Sequence, residues 1–385
     1  MARIDTLEHF LTDVASAIKT KKGDETDILA SDFDTEITNL PSGGGNIAHP
    51  DYVSFRNYSG STLDISWLRT DNMTDFAAMF YQSGHLTTID VSNFDTSNAT
   101  NMTSTFAECS VLSTITGLDR WDTSKVTSMF YMFGGNAIGL TTFNLSFNLE
   151  NVTNMSQMFT NCGNLASFTF SSGLDTTNLR NIENMFSNCT ALESIDLSNF
   201  NLQYVTSAGS LFNYCTSLET VTFGNYSMAI TNLNSMFNHC TALENIYNFP
   251  EISASISLTS AQATFYGCSS LTNLDLSNIK SIKLRSMQNM FNSCTALETV
   301  DLRNINTDYS SSNASGMFLN CTSLQSIDLR SYDLNKIRTY TNMFGSSASD
   351  GPPDNCEIIV KDDTSKQWVT AYFPRLTNVK TVAEL

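Results

Sequence analysis

Between residues 73 and 345 the apolar positions return on a long period. Phenylalanine stands at Phe80, Phe106, Phe133, Phe159, Phe186, Phe212, Phe237, Phe265, Phe291, Phe318 and Phe344, at intervals of 25 to 28 residues. A leucine follows each of the first ten by six residues, or seven after Phe133, running from Leu86 to Leu324. Self-similarity of this length marks a solenoid, in which each coil buries its apolar face only against its neighbours. Two shorter patterns alternate inside a coil. In NVTNMSQMFTNC, Val152, Met155, Met158 and Phe159 lie at helical spacing, which predicts a short helix on the convex side. In ALESIDLSNF, Leu192, Ile195 and Leu197 have Ser194, Asp196 and Ser198 between or after them, which predicts a strand with one buried face on the concave side. Strands of successive coils then pair in parallel at about 4.8 Å.

The pattern changes at both ends, where a solenoid needs caps. Residues 51–70, DYVSFRNYSGSTLDISWLRT, alternate without the Met-Phe box and predict a cap strand or hairpin within an N-terminal cap spanning 46–72. Residues 357–382 read strand, helix, strand inside a C-terminal cap over 346–385, with Trp368 and Phe373 available to cover the last coil. Residues 1–45 differ in kind. Ile4, Leu7, Phe10, Leu11, Val14 and Ile18 line one face of a helix, and Ser31 opens a second short helix carrying Phe33, Ile37 and Leu40 before PSGGG breaks the chain. Two helices this small cannot bury such a stripe alone, and a flexible linker is an odd way to attach a cap. The segment therefore reads as a docking or homo-oligomerisation element, with a small hairpin folded against the N-terminal cap as the alternative.

Composition narrows the partners. Lys and Arg number 20 against 38 Asp and Glu, a formal charge of -18. Phosphate backbones and anionic lipids are bound largely through basic residues, so nucleic acid is excluded as a partner and so is an anionic membrane surface. No apolar run is long enough for membrane insertion as a spanning helix, and the first residues lack the charged start and apolar core of a secretory signal. A soluble protein made in the cytoplasm is expected.

Candidate chemistry is sparse. The histidines His9, His49, His85 and His239 are scattered, and no nucleotide loop, nucleophile elbow or zinc motif is present. Cys162, Cys189, Cys215, Cys240, Cys268, Cys294 and Cys321 hold one position of successive coils; a buried thiol row fits them better than disulfide, metal or redox work. Asp90, Asp196, Asp275, Asp301 and Asp328 recur on the outward side of the strands, with Glu193, Glu219, Glu244 and Glu298 nearby. Paired carboxylates can hydrolyse glycosides, but an open sheet offers no pocket to raise the pKa of one. The expectation is no catalytic residue, no metal and no cofactor. Ser194, Asp196, Thr220, Thr222, Asn273, Asp275, Thr299, Asp301, Ser326 and Asp328 share one outward face and form the candidate ligand surface, against the alternative of ordinary solvation.

The recurring MFxxCxxLxxIDLSNFDTSxVTxM resembles the BspA-type leucine-rich repeats of bacterial surface proteins and of some phage and parasite proteins. The resemblance implies an α/β solenoid, a right-handed coil with a parallel sheet on its concave face. It is weakest around Phe133, where Asn136 replaces the usual Cys, and around Phe249, where YNFPEISAS suggests a bulge or longer loop. Residues 1–45 resemble the N-terminal segment of phage tail and other virion-associated proteins of Gram-positive hosts, carried by Ile28, Ala30, Ser31, Asp32, Phe33, Asp34 and Ile37. Together the two resemblances imply a non-enzymatic virion protein, attached to other virion proteins through residues 1–45 and holding a host cell-surface protein or glycan with the solenoid. Lysis would release it. The alternatives are a bacterial surface adhesin and, in another class, a surface-glycan depolymerase.

Overall fold

The computed structural model describes residues 53–136, 139–253, 258–280, 284–305 and 312–385. The apolar stripe Ile4, Leu7, Phe10, Leu11, Val14 and Ile18 lies outside them. Fifteen short strands follow in order: β1 Thr62–Leu63, β2 Thr88–Asp90, β3 Thr114–Thr116, β4 Thr142–Leu145, β5 Ser167–Phe170, β6 Ser194–Leu197, β7 Thr220–Phe223, β8 Asn245–Tyr247, β9 Asn273–Leu274, β10 Thr299–Asp301, β11 Ser312–Asn313, β12 Ser326–Leu329, β13 Ile337–Thr339, β14 Glu357–Val360 and β15 Val379–Thr381. Every pairing among them is parallel. All but β11 and β13 form the strand side of a leucine-rich-repeat-like β-solenoid, one strand per coil. Residue by residue they match: Ser194 sits beside Thr220, Ile195 beside Val221 and Leu197 beside Phe223.

The helices expected opposite the strands are absent among the described residues, where the one α-helix, α1, is Asp363–Tyr372. Each Met-Phe segment is instead a run of overlapping turns whose amides alternate between two destinations. The N–H groups of Met155, Gln157, Phe159 and Asn161 donate to Asn181, Glu183, Met185 and Ser187 of the next coil. Those of Met158, Thr160 and Cys162 donate three residues back, to Met155, Gln157 and Phe159. The alternation requires a left-handed backbone at every fourth residue, as at Gln157 (φ 58°) and Asn161 (φ 60°). Neighbouring helices need about 8 to 10 Å between axes, whereas the strands hold the coils about 4.8 Å apart. Helical spacing of the methionines and phenylalanines is satisfied equally well by turns that point the same residues inward.

The eleven phenylalanines are buried and stack face to face, and Phe55 of the first coil heads the column. Ring centroids follow one another at 5.2 to 5.9 Å from Phe55 to Phe344. Beside it runs the thiol column. Each Sγ from Cys109 to Cys321 donates to the carbonyl of the phenylalanine one coil earlier, at 2.9 to 3.3 Å. Ser83 does the same to Phe55 at 3.0 Å, and Asn136 to Phe106 at 3.1 Å. The break in the cysteine pattern at Asn136 therefore keeps the interaction and changes only its donor.

Residues 53–70 form a first coil, not a hairpin: β1 pairs in parallel with β2, and Phe55 and Asn57 donate to Met79 and Tyr81. The coil around Phe249 also stays in the stack, with Phe249 buried and Ile252 bridged to Ile279. At the other end β14 and β15 extend the sheet and α1 closes it. Asp362 accepts the Ser365 N–H to start that helix. Phe373 sets its ring edge-on against Phe344 at 5.0 Å, and Arg375, beside the buried Cys356, donates to the Phe344 carbonyl.

Two outcomes follow. Phe212→Ala in mid-column is expected to cost about 3 to 5 kcal/mol in denaturant unfolding, and Phe212→Leu clearly less; equal losses would contradict the packed column. All nine thiols are buried, and burial pushes the Cys215 thiol up to about 12. At about pH 8 they are expected to resist a disulfide reagent until the stack unfolds, so fast labelling of several thiols in native buffer would contradict the arrangement.

Candidate functional site

Corners give the polar residues their first task. Each coil turns at up to three places where an Asp or Asn carboxyl or amide oxygen accepts the N–H two residues on, the Asx-turn arrangement. One corner is seen at Asp75, Asn154, Asn181 and Asn313, each bonding the second residue after it at 2.9 to 3.0 Å. Another is seen at Asp95, Asp122, Asn148 and Asp175, all at 2.9 Å. The third follows the strand and uses the recurring aspartates: Asp90 to Ser92, Asp196 to Ser198 and Asp275 to Ser277, at 2.8 to 2.9 Å. These acids recur because the chain must turn there.

The ten expected surface residues do share one side of the sheet, in two groups. Ser194 pairs with Thr220 and Asp196 with Thr222. Thr299 lies between Asn273 and Ser326, and Asp301 beside Asp328, while Asp275 follows directly on β9. Asp328 departs from the expectation, being only 7% exposed. It accepts from Arg330 Nε and Nη2 at 2.6 to 3.0 Å as well as from the Arg330 N–H. Asp301 is clasped in the same way by Arg303. Burial alone would raise the Asp301 pKa, but hydrogen bonds from the side chain and backbone of Arg303, with its charge, bring it below the usual carboxylate range. Hydrogen bonds from Ser92 lower Asp90 similarly. Neither acid is poised to donate a proton near neutrality.

Between the two groups stands β8, and here sequence reasoning missed a residue. Asn245 pairs with Thr220 and Tyr247 with Thr222, so Tyr247 occupies the row of the turn-closing aspartates. Its ring is 51% exposed. The following turn is made instead by Asn248, left-handed at φ 55°, whose side-chain amide bonds the Phe223 carbonyl. The signal was an aromatic residue at a strand position that is polar in the other repeats, in one of the two coils where the consensus weakens.

The remaining chemical candidates are structural. His239 is sandwiched between Tyr214 at 4.5 Å and Tyr266 at 4.9 Å, and burial lowers its pKa. Its Nδ1 pairs with Asn238 Oδ1 at 2.8 Å. Glu193, Glu219, Glu244 and Glu298 are exposed at the mouths of their strands. Among the described residues no three His, Cys, Asp or Glu side chains gather as a metal site.

The coil arrangement is similar to that of solved leucine-rich-repeat proteins, at low identity. One from Bacteroides ovatus shares 18% identity with a TM-score of 0.38, over 81% of this chain and 76% of its own. A leucine-rich cell surface protein from Faecalibacterium prausnitzii shares 17% with a TM-score of 0.39, over 71% and 77%. The pneumococcal vaccine antigen PcpA shares 13% with a TM-score of 0.35, over 84% and 78%. Likeness this distant bears on neither ligand nor activity. No curated protein resembles the chain closely enough to count as a relative. One family model matches three overlapping stretches, residues 52–166, 140–249 and 231–352, which leaves residues 1–45 outside it. Those stretches span most of the chain, which accordingly belongs to the family described as "Mycoplasma protein of unknown function, DUF285".

Proposed function

We propose that this chain is a non-enzymatic binding module of the bacterial surface-adhesin kind, holding a cell-surface protein or glycan on its strand side. The observation that carries the reading is the row Asp196, Thr222 and Tyr247, exposed except for a half-buried Thr222. A half-exposed tyrosine, free of any turn-closing task, stands among hydrogen-bonding side chains held in register by the sheet. Tyrosine supplies contact area at low entropic cost and is enriched at binding hot spots. On the same face Asp90 and Asp301 are held below the usual carboxylate range, which suits recognition better than general-acid chemistry, where a raised pKa is needed. That ranks the depolymerase alternative last.

The carrier of the module is a separate question. Membership in a family described from Mycoplasma supports a bacterial carrier. The second reading, a virion-associated protein docked through Ile4, Leu7, Phe10, Leu11, Val14 and Ile18, rests on the sequence of residues 1–45.

Two measurements test these readings. With immobilised mucin, fibronectin and laminin as probes, Tyr247→Ala is expected to weaken the binding shown by the wild type about tenfold. Asp275→Asn, which retains the turn-closing oxygen, is expected to leave the melting temperature unchanged. Undiminished binding by Tyr247→Ala would remove the strand side as the site. Tagged protein is expected in the envelope fraction of the producing bacterium; co-sedimentation with purified phage particles, lost on deleting residues 1–45, would establish the virion reading instead.

A further inference from the structure

The last coil and the C-terminal helix do not close completely. Between them opens a cleft of about 350 Å³, at the lower end of the range in which small-molecule sites fall. Two tyrosines form its walls: Tyr340 from the last coil and Tyr372 from the end of α1, with ring centroids 4.9 Å apart. Tyr372 is 53% exposed. Trp368 backs both rings, at 5.0 and 5.3 Å, and holds them in place. Asn342 and Ser346 lie at the rim, both exposed.

Charge is present in the cleft but engaged. The Arg375 guanidinium donates through Nη1 to the Pro352 carbonyl at 2.6 Å and to Asp354 at 3.0 Å, and through Nη2 to the Phe344 carbonyl. The nearby Asp350 carboxylate accepts the Ser346 hydroxyl at 2.6 Å and the Ser346 N–H at 2.9 Å. An anion would find the terminal guanidinium nitrogens occupied and Nε, which has no partner, buried out of reach; a cation would find the Asp354 and Asp350 carboxylates already engaged by Arg375, Ser346 and Ser347. What remains is an aromatic wall beside the Asn342 amide and a Ser346 hydroxyl oxygen that can still accept. A sugar ring matches this pattern: the C–H bonds of one face pack on a ring, and its hydroxyls both donate and accept around the edge.

We propose that this cleft is a binding site for a neutral sugar, one or two rings long, stacked on Tyr372 and hydrogen-bonded by Asn342 and Ser346. It stands apart from the strand side and does not depend on it. Trp368 reports on occupancy, because it touches both tyrosines, while Trp67 and Trp121 belong to the first coils.

The full chain is titrated with the methyl glycosides of glucose, galactose, mannose and N-acetylglucosamine, following tryptophan emission. A saturable change with at least one of them is expected, weakened tenfold or more in Tyr372→Ala and largely kept in Tyr372→Phe. Asn342→Gly, which preserves the left-handed backbone there, is expected to weaken it too, with both variants melting like the wild type. Absence of a saturable change with all four glycosides would overturn the proposal, as would undiminished binding by Tyr372→Ala. A saturable response to tetramethylammonium in place of the sugars would also overturn it, by identifying an aromatic cation site.

Discussion

The hydrogen bond from one coil to the next is the constraint from which the rest of this molecule follows. It runs on both sides of each coil: through the strands on one, and through every second amide of the Met-Phe turns on the other. These two sets of bonds hold neighbouring coils close to strand spacing. At that spacing phenylalanine rings stack, a thiol reaches the carbonyl one coil back, and a helix does not fit. The stretch that looks helical therefore folds as turns, at the cost of left-handed backbone at residues such as Gln157 and Asn161. That strain is spread over many residues with short polar side chains, which tolerate it best.

Corners impose the second demand. A coil that turns sharply leaves amides without partners, and Asp and Asn supply them locally. This accounts for a chain rich in Asn, Asp, Ser and Thr yet poor in Lys and Arg. It also changes the meaning of the repeated acids on the strand side. Asp196 and Asp275 are there to fold the chain, whether or not they touch a ligand. A residue that breaks the rule is more informative than one that obeys it, and Tyr247 breaks it at half exposure.

Interruptions elsewhere are absorbed without loss of the column. Ser83 and Asn136 replace cysteine as donors to the phenylalanine carbonyl, and Arg375 reaches the last carbonyl from the cap. The thiol is thus one of several groups able to satisfy a single acceptor. Its prevalence reflects a good fit to a small apolar space, not redox chemistry. The cap ends the aromatic column with an edge-on ring, and the geometry of that ending opens the cleft beside Tyr340 and Tyr372.

Period, register and interior were all legible in the sequence, because a stack buries the same position of every coil and so writes the same residue type there each time. The phenylalanine, cysteine and leucine columns and the outward strand face could be read from Phe80 to Phe344 without coordinates. Phe55, one period before Phe80, was hidden because its coil lacks the accompanying box. What only the tertiary structure decided was which partner each polar group takes. Inward methionines at helical spacing are compatible with helix or with turns, and the amides choose turns because the neighbouring coil offers carbonyls at the right height. An outward Asp can face solvent, close a turn or bind arginine. Asp196, Asp301 and Asp328 share one position and end in different surroundings, since Arg303 and Arg330 stand beside the last two and Ser198 beside the first.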